Sequence, residues 1–248
     1  MKVIDRSIRG DYRELNEDVT GIFENGTGQI LMLVADGMGG HRYGDVASRY
    51  VHDEIKAAWT ETNLFNVEDG VEFLRRLVMD VNRRMYDYQQ DHPEYQGMGT
   101  TLVLCAIIDE AIIILNVGDS RAYAMNERGI EQVTSDHSFV NLLVDAGEIT
   151  AEEAKHHPKR NIITKALGTD RLIQADVFRL RNRQYDYLLL ASDGLTDNLD
   201  NSELHAIIIR EGTAMPDKAA QLMERAQKSG STDNISLVLA DLKASGSD

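Results

Sequence analysis

Proline and cysteine are both scarce in this 248-residue chain, at three and one respectively. The prolines (Pro93, Pro158 and Pro216) stand far apart, so no Pro-rich linker divides the chain. With no repeat or low-complexity tract either, a single domain over residues 1–242 is expected, long enough to bury a substantial core. One cysteine excludes an internal disulfide framework. Cys105 lies inside the apolar run Thr101–Ile108 and reads as a small core residue in a reducing compartment. Long apolar runs are missing as well, which argues against a helix that crosses a bilayer. The opening Met1-Lys2-Val3-Ile4-Asp5-Arg6 turns polar at once and lacks the apolar segment of a secretory signal, so a cytoplasmic location is expected. Positive charge is in deficit: 26 Lys and Arg face 41 Asp and Glu, a formal charge of −15. A phosphate backbone would meet a repulsive surface, which argues against a nucleic-acid partner. Any phosphorylated substrate would be repelled too, unless bound divalent metals make the site locally positive.

What the chain does have is aspartate at the ends of apolar, strand-like runs far apart in sequence. Ile30–Ala35 runs into Asp36-Gly37-Met38-Gly39-Gly40-His41, Ala111–Gly118 into Asp119-Ser120-Arg121, and Tyr187–Ser192 into Asp193-Gly194-Leu195. Asp233-Asn234 opens the run Ile235–Ala240. Short β-rich runs bounded by Gly, Asn or Asp read as buried strands. An acid at such an end is carried on a rigid element to a rim, and several together suggest one site of hard oxygen ligands for Mg²⁺ or Mn²⁺.

Helical periodicity appears over roughly Gly44–Trp59 and Val71–Gln89, where Leu74, Leu77, Val78, Val81 and Met85 form a core stripe. Asp109-Glu110 separates two strand-like runs at hairpin spacing, which favours antiparallel pairing. Two more helices are expected near Ser202–Arg210 and Pro216–Lys228. Two helices in each half, with strands between, predict an α+β fold. It is a four-layer αββα sandwich: two central antiparallel β-sheets flanked by helix pairs. Between about 134 and 168 the pattern changes to two short helical pieces, Ser138–Ala146 and one with Thr150 and Glu153 as a capping box. This insert reads as a small flap subdomain over the site, or as a plain structural connection. His156 and His157 read as flap surface residues. The small polar tail 243–248 is expected to be disordered.

The glycines after Asp36 let the backbone turn sharply and approach a ligand, without matching either nucleotide-loop pattern. Asn16-Glu17-Asp18 adds an acidic pair, and Arg13 is a fork suited to phosphate oxygens if it lies near a metal cluster. Together these pieces resemble the metal-dependent protein phosphatases, the type 2C Ser/Thr phosphatases, and most closely their compact bacterial members. The matching motifs are Arg13-x-x-Asn16-Glu17-Asp18, Val34–His41, Gly97-Met98-Gly99-Thr100-Thr101, Val117–Arg121, Ser192–Leu195 and Asp233-Asn234-Ile235. All six stand in the family's order and span nearly the whole chain.

The resemblance implies roles. Asp36 bridges two metal ions with the Gly37 carbonyl as a further ligand, Asp193 and Asp233 hold the other ion, and Asp18 with Glu17 acts through water. Asp119, with Asp193, anchors a third and weaker ion, to which the flap near Asn161 contributes a main-chain ligand. Arg13 binds the substrate phosphate. Ions about 3.5–4 Å apart share a water whose pKa falls from about 15.7 towards 7, and the resulting hydroxide attacks phosphorus in line. His41 is the nearest candidate acid for the leaving alkoxide. Eukaryotic relatives place a histidine directly after the Asp-Gly pair, where this chain has Met38, so His41 could equally fix the loop while water serves as acid. Asp197 reads as an acid behind the ligands or as a helix-start cap.

The expected activity is therefore Mn²⁺/Mg²⁺-dependent hydrolysis of phosphoserine and phosphothreonine in proteins, by a monomer that reverses a membrane-anchored Ser/Thr kinase. A catalytically silent phosphoprotein-binding scaffold of the same fold is the alternative, disfavoured because Asp36, Asp193 and Asp233 are all present. An acidic Ca²⁺-binding structural protein is disfavoured by the absence of a D-x-[DN]-x-[DN]-G loop.

Overall fold

The computed structural model describes residues 1–38 and 43–243. Eleven strands among them fall into two sheets. The first contains β1 (Lys2–Ile8), β11 (Ile235–Asp241), β10 (Tyr187–Ala191), β7 (Arg121–Asn126) and β8 (Gly129–Gln132), in that spatial order. The second runs β2 (Asp18–Glu24), β3 (Ile30–Met38), β5 (Leu102–Ile108), β6 (Ala111–Val117) and β9 (Asp176–Arg181), with the short β4 (Gly99–Thr100) beside the end of β3. Every pairing is antiparallel. Asp109 adopts φ 54° in the β5–β6 turn, the left-handed conformation that a tight hairpin between right-twisted strands requires.

Helices α1 (Gly44–Thr60) and α2 (Val67–Asp91) cover the outer face of the second sheet. α6 (Asn201–Ile208) and α7 (Met215–Lys228) cover that of the first. Three apolar layers result. Trp59, Leu74, Val78, Val81 and Met85 pack from the helices onto Leu31, Leu33 and Leu104. Leu204, Ile208, Ala219 and Leu222 pack onto Leu189, Leu237 and Leu239. Between the sheets, Met32, Val34, Val103, Cys105, Leu188, Leu190 and Val238 close a third layer. The strands at the centre are buried on both faces, which is why they read as unbroken apolar runs rather than alternating ones. The expected four-layer sandwich is the observed one.

Two expectations shift. α2 begins at Val67, ahead of its apolar stripe, because the Asn66 side chain accepts the Asp69 N–H at 3.0 Å and caps the helix there. β3 continues through Asp36 and Gly37 to Met38, so Asp36 lies within the strand rather than beyond it. The reason is local: Thr101 N–H and Thr100 Oγ1 both donate to the Asp36 carbonyl at 2.9 Å, which extends the ladder.

The flap lies between β8 and β9 and carries α3 (Phe139–Asp145) and α4 (Ala151–Lys155). Ser138 caps α3, and the Thr150–Glu153 capping box forms as expected. Asp193–Thr196 makes a one-turn helix, α5. Lys243, assigned to the tail from sequence, pairs with Asp186 at 2.9 Å; residues 244–248 lie outside the described residues.

Candidate metal centre

The register of β2 against β3 places Asp18 directly opposite Asp36. Like charges facing each other across a strand pair destabilise a sheet, so this pairing is costly unless a cation or a proton intervenes. Asp193 arrives beside them on α5, and Asp233 from the turn before β11. Glycine at two positions lets backbone close in around the site, Gly194 beside Asn234 and Gly37 beside the start of α1. A Cβ on Gly194 would lie 1.9 Å from the Asn234 carbonyl oxygen, and one on Gly37 would lie 2.1 Å from the Gly44 carbonyl oxygen. Only glycine admits backbone this close.

Four of the aspartates, Asp18, Asp36, Asp119 and Asp193, have their carboxyls raised by burial and by one another or by nearby acids. Burial pushes the Asp18 carboxyl up to about 6, against hydrogen bonds from Ser236 and Ser192 that favour its ionised form. Burial also raises Asp119 to about 7, with Asp136 pushing the same way and Arg121 opposing. Asp36 and Asp193 are held well above the carboxylate range, first by burial and then by the neighbouring aspartates. One oxygen each of Asp18, Asp119 and Asp193 is buried with no hydrogen-bond partner. Buried carboxylate oxygens without donors are expensive, and a hard divalent cation is the partner their chemistry fits. As placed, no three His, Cys, Asp or Glu side chains among the described residues enclose an ion. One acid is turned aside: Asp233 Oδ2 accepts from Arg13 at 2.5 Å.

The structure thus brings Asp18, Asp36, Asp119, Asp193 and Asp233 into one interacting group, with Arg13 at its edge. Arg13, expected at the phosphate, is paired with an expected metal ligand, because its guanidinium is the cation within reach of Asp233. Glu17 accepts a backbone hydrogen bond from Gly44, the first residue of α1, where a carboxylate complements the helix N-terminus. Asn161 lines the same groove as Asp119 and Asp193, on an exposed turn of the flap. His156 is fully on the flap surface, while His157 is half-buried and packs near Phe139. Asp197 is no helix-start cap: it closes α5, and Asp200 caps α6. His41 lies outside the described residues.

Several residues that hold the site were given no role from the sequence. Asn234 accepts from Glu17 N–H at 2.9 Å and donates to the carbonyls of Arg9 and Leu15 at 2.6 and 3.0 Å, so it shapes the Arg13 loop. Ser192 Oγ donates to Asp18 at 2.8 Å. Thr101 Oγ1 accepts the Asp36 N–H at 3.1 Å. Arg121 reaches both Asp136 and Asp197. Asn234, Thr101 and Arg121 all fall inside the six motifs, which was the available hint.

The family model described as protein phosphatase 2C matches residues 11–239. The chain belongs to the protein phosphatase 2C family. It is 39% identical over 246 residues to the serine/threonine phosphatase stp of Listeria monocytogenes, covering 98% of this chain and 97% of that one. Its fold is similar to that of the serine/threonine phosphatase Stp1 from Staphylococcus aureus, with a TM-score of 0.94 and 47% identity over 97% of this chain and 94% of that one. It is also similar to the catalytic domain of the serine/threonine protein phosphatase PstP in complex with two manganese ions, with a TM-score of 0.81, 30% identity and 97% of each chain covered. The protein is a protein phosphatase, a hydrolase of a metal-dependent family. Among the described residues, no helix is long and apolar enough to cross a membrane.

Proposed function

We propose that this phosphatase hydrolyses phosphoserine and phosphothreonine in proteins, using divalent ions held by the buried aspartates. The carrying observation is the set of buried, partnerless carboxylate oxygens on Asp18, Asp119 and Asp193. Asp36 and the Gly37 carbonyl, with Asp193 and Asp233, are the proposed holders of two Mn²⁺ or Mg²⁺ ions. Asp18 and Glu17 would act on them through water, and Asp119 with Asp193 would hold a weaker third, assisted by the Asn161 main chain.

Bound divalent ions make water a nucleophile near neutral pH and offset charge on the phosphoryl oxygens. The residues of the chain do the rest. Arg13, half-exposed at the edge of the site, presents a planar fork for two phosphoryl oxygens. With an ion held, Asp233 would serve as its ligand and Arg13, now paired with Asp233, would be free for the phosphate. Thr100 and Thr101 hold the Asp36 main chain and Ser192 holds the Asp18 carboxylate, which limits reorganisation as charge develops. The leaving alkoxide takes its proton from His41 or from water.

One catalytic domain over 1–242, including the flap, a monomeric state and a cytoplasmic setting complete the proposal. A membrane-anchored Ser/Thr kinase is the proposed source of the phosphates removed. The acids of the centre are all present, which speaks against a silent scaffold. The test is to strip the protein with a chelator and assay phosphoserine and phosphothreonine proteins before and after adding Mn²⁺. Turnover is expected only after refilling; full turnover by the stripped protein would overturn the metal-based reading.

A further inference from the structure

Beside the acids stands a cation that no proposed step uses. Arg121 opens β7, and its side chain is 18% exposed against 15% for its partner Asp136. Its Nε donates to both Asp136 oxygens at 3.1 and 2.9 Å, and one terminal nitrogen donates to Asp136 Oδ2 at 2.7 Å and to Asp197 Oδ1 at 3.0 Å. These partners come from separate parts of the chain. Asp119 lies in the turn just before Arg121, and Asp136 lies at the root of the flap, just ahead of the Ser138 cap of α3. Asp197 closes the helical turn that Asp193 opens, donating its N–H to the Asp193 carbonyl at 2.8 Å.

A second set of bonds fastens the flap root to the same turn. His137 N–H donates to the Gly118 carbonyl at 2.9 Å, and Gly118 N–H donates to His137 Nδ1 at 2.9 Å. Asn116 Nδ2 donates to the carbonyls of Gly118 at 3.1 Å and Ser135 at 3.3 Å. Asp119, Arg121, Asp136, Asp193 and Asp197 all line one groove of about 1310 Å³ beneath the flap, and Asp119 and Asp193 each keep one buried oxygen without a hydrogen-bond partner.

We infer that Arg121 is a positioning residue that holds Asp119, Asp193 and the flap root as one unit, so that the weaker ion and the placement of the flap are coupled. The inference rests on the assignment of Asp119 and Asp193 to that ion. A guanidinium can bridge two carboxylates in fixed geometry, whereas an ammonium on a flexible stem cannot. Without it, Asp136 and Asp197 are left uncompensated beside two further acids, and their repulsion pushes the three segments apart.

The test is Mn²⁺ binding to the stripped full chain, measured alongside amide hydrogen exchange over residues 139–145 and the melting temperature. Two tight ions and one weaker are expected, with flap exchange slowed as the weaker one binds. Arg121→Lys should weaken that ion by about 10–100-fold, the usual cost of losing a partner that orients a ligand, and spare the tight pair. It should also remove the Mn²⁺-dependent slowing of exchange. Asp197→Asn, a milder change at a more exposed position, should give a several-fold loss in the same direction. Weak-ion affinity within twofold of the parent in both variants, whatever happens to melting, would overturn the inference. Retention of the weaker ion by Asp119→Ala would instead overturn the assignment on which it rests.

Discussion

Asp193 and Asn161 line the same groove, yet they are held in place very differently. Asp193 follows Ser192, which is fully buried, and precedes Gly194, Leu195 and Thr196, all buried; Gly194 is wedged against the Asn234 carbonyl. Asn161 sits in an exposed turn of a flap whose two helices bury one residue between them, Val140. Segments with few buried apolar contacts open at low free energy, whereas strands at the centre of a core open only with the whole molecule. The floor can therefore keep acids at fixed spacing against their mutual repulsion. The flap, anchored by fewer buried side chains, can shift at lower cost. Arg121, His137 and Asn116 are among the side chains that tie the one to the other.

Substitutions can break that contrast, and the largest effect is expected on the floor. Asp193→Asn should lower Mn²⁺-dependent turnover of an aryl phosphate by roughly 10²–10³-fold, the scale of losing one preorganised charge-stabilising group, with the fold intact by circular dichroism. Turnover within a few-fold of the parent would remove Asp193 from the centre. Arg13→Ala, at the edge of the floor, should raise KM for a phosphopeptide by about tenfold, the loss of a charged hydrogen-bond fork. It should leave Mn²⁺ binding unchanged or tighter, since it frees Asp233; a collapse of metal affinity alone would show that Arg13 supports the ions rather than the phosphate.

The third prediction concerns pH. Asp18 and Asp119 have folded pKa values of about 6 and about 7, above the ordinary 3.8. Between those limits the folded protein binds more protons than the unfolded chain, so stability falls as pH rises. In a chelator the melting temperature should accordingly drop from pH 4.5 to pH 7.5, and added Mn²⁺ should recover most at the upper end. A rise over that interval would mean that the carboxylates ionise freely in the fold. Val140→Ala should give the smallest effect. Hydrogen exchange over α3 should quicken roughly tenfold while the global melting temperature moves by no more than about 2 °C. An equal loss in both would make the flap part of the rigid floor.

Much of this was legible in the chain. Each central strand reads as an apolar run because both of its faces are buried, and the run stops where an acid begins. The stripe from Leu74 to Met85 lies buried as its spacing required. The capping box at Thr150 formed because its two partners are three residues apart and need nothing distant. The misses are of another kind. Asn234 joins residues more than two hundred positions away, and Arg121 meets an acid from the flap root and another from α5. No periodicity encodes such meetings, since they depend on which strands pair and on how closely two turns approach.

The strand-end aspartates therefore divide the credit. By itself the sequence determined that acids would stand at or near the ends of buried strands, that two antiparallel sheets would carry them, and which family's motifs they match. These follow from local patterning, which is written in consecutive residues. Only the tertiary structure decided that Asp18 faces Asp36, that Arg13 meets Asp233, and that the guanidinium at the start of β7 joins the flap root to the end of α5. Strand register and inter-sheet packing set those contacts, and both arise from burial summed over the whole chain rather than from any stretch of it.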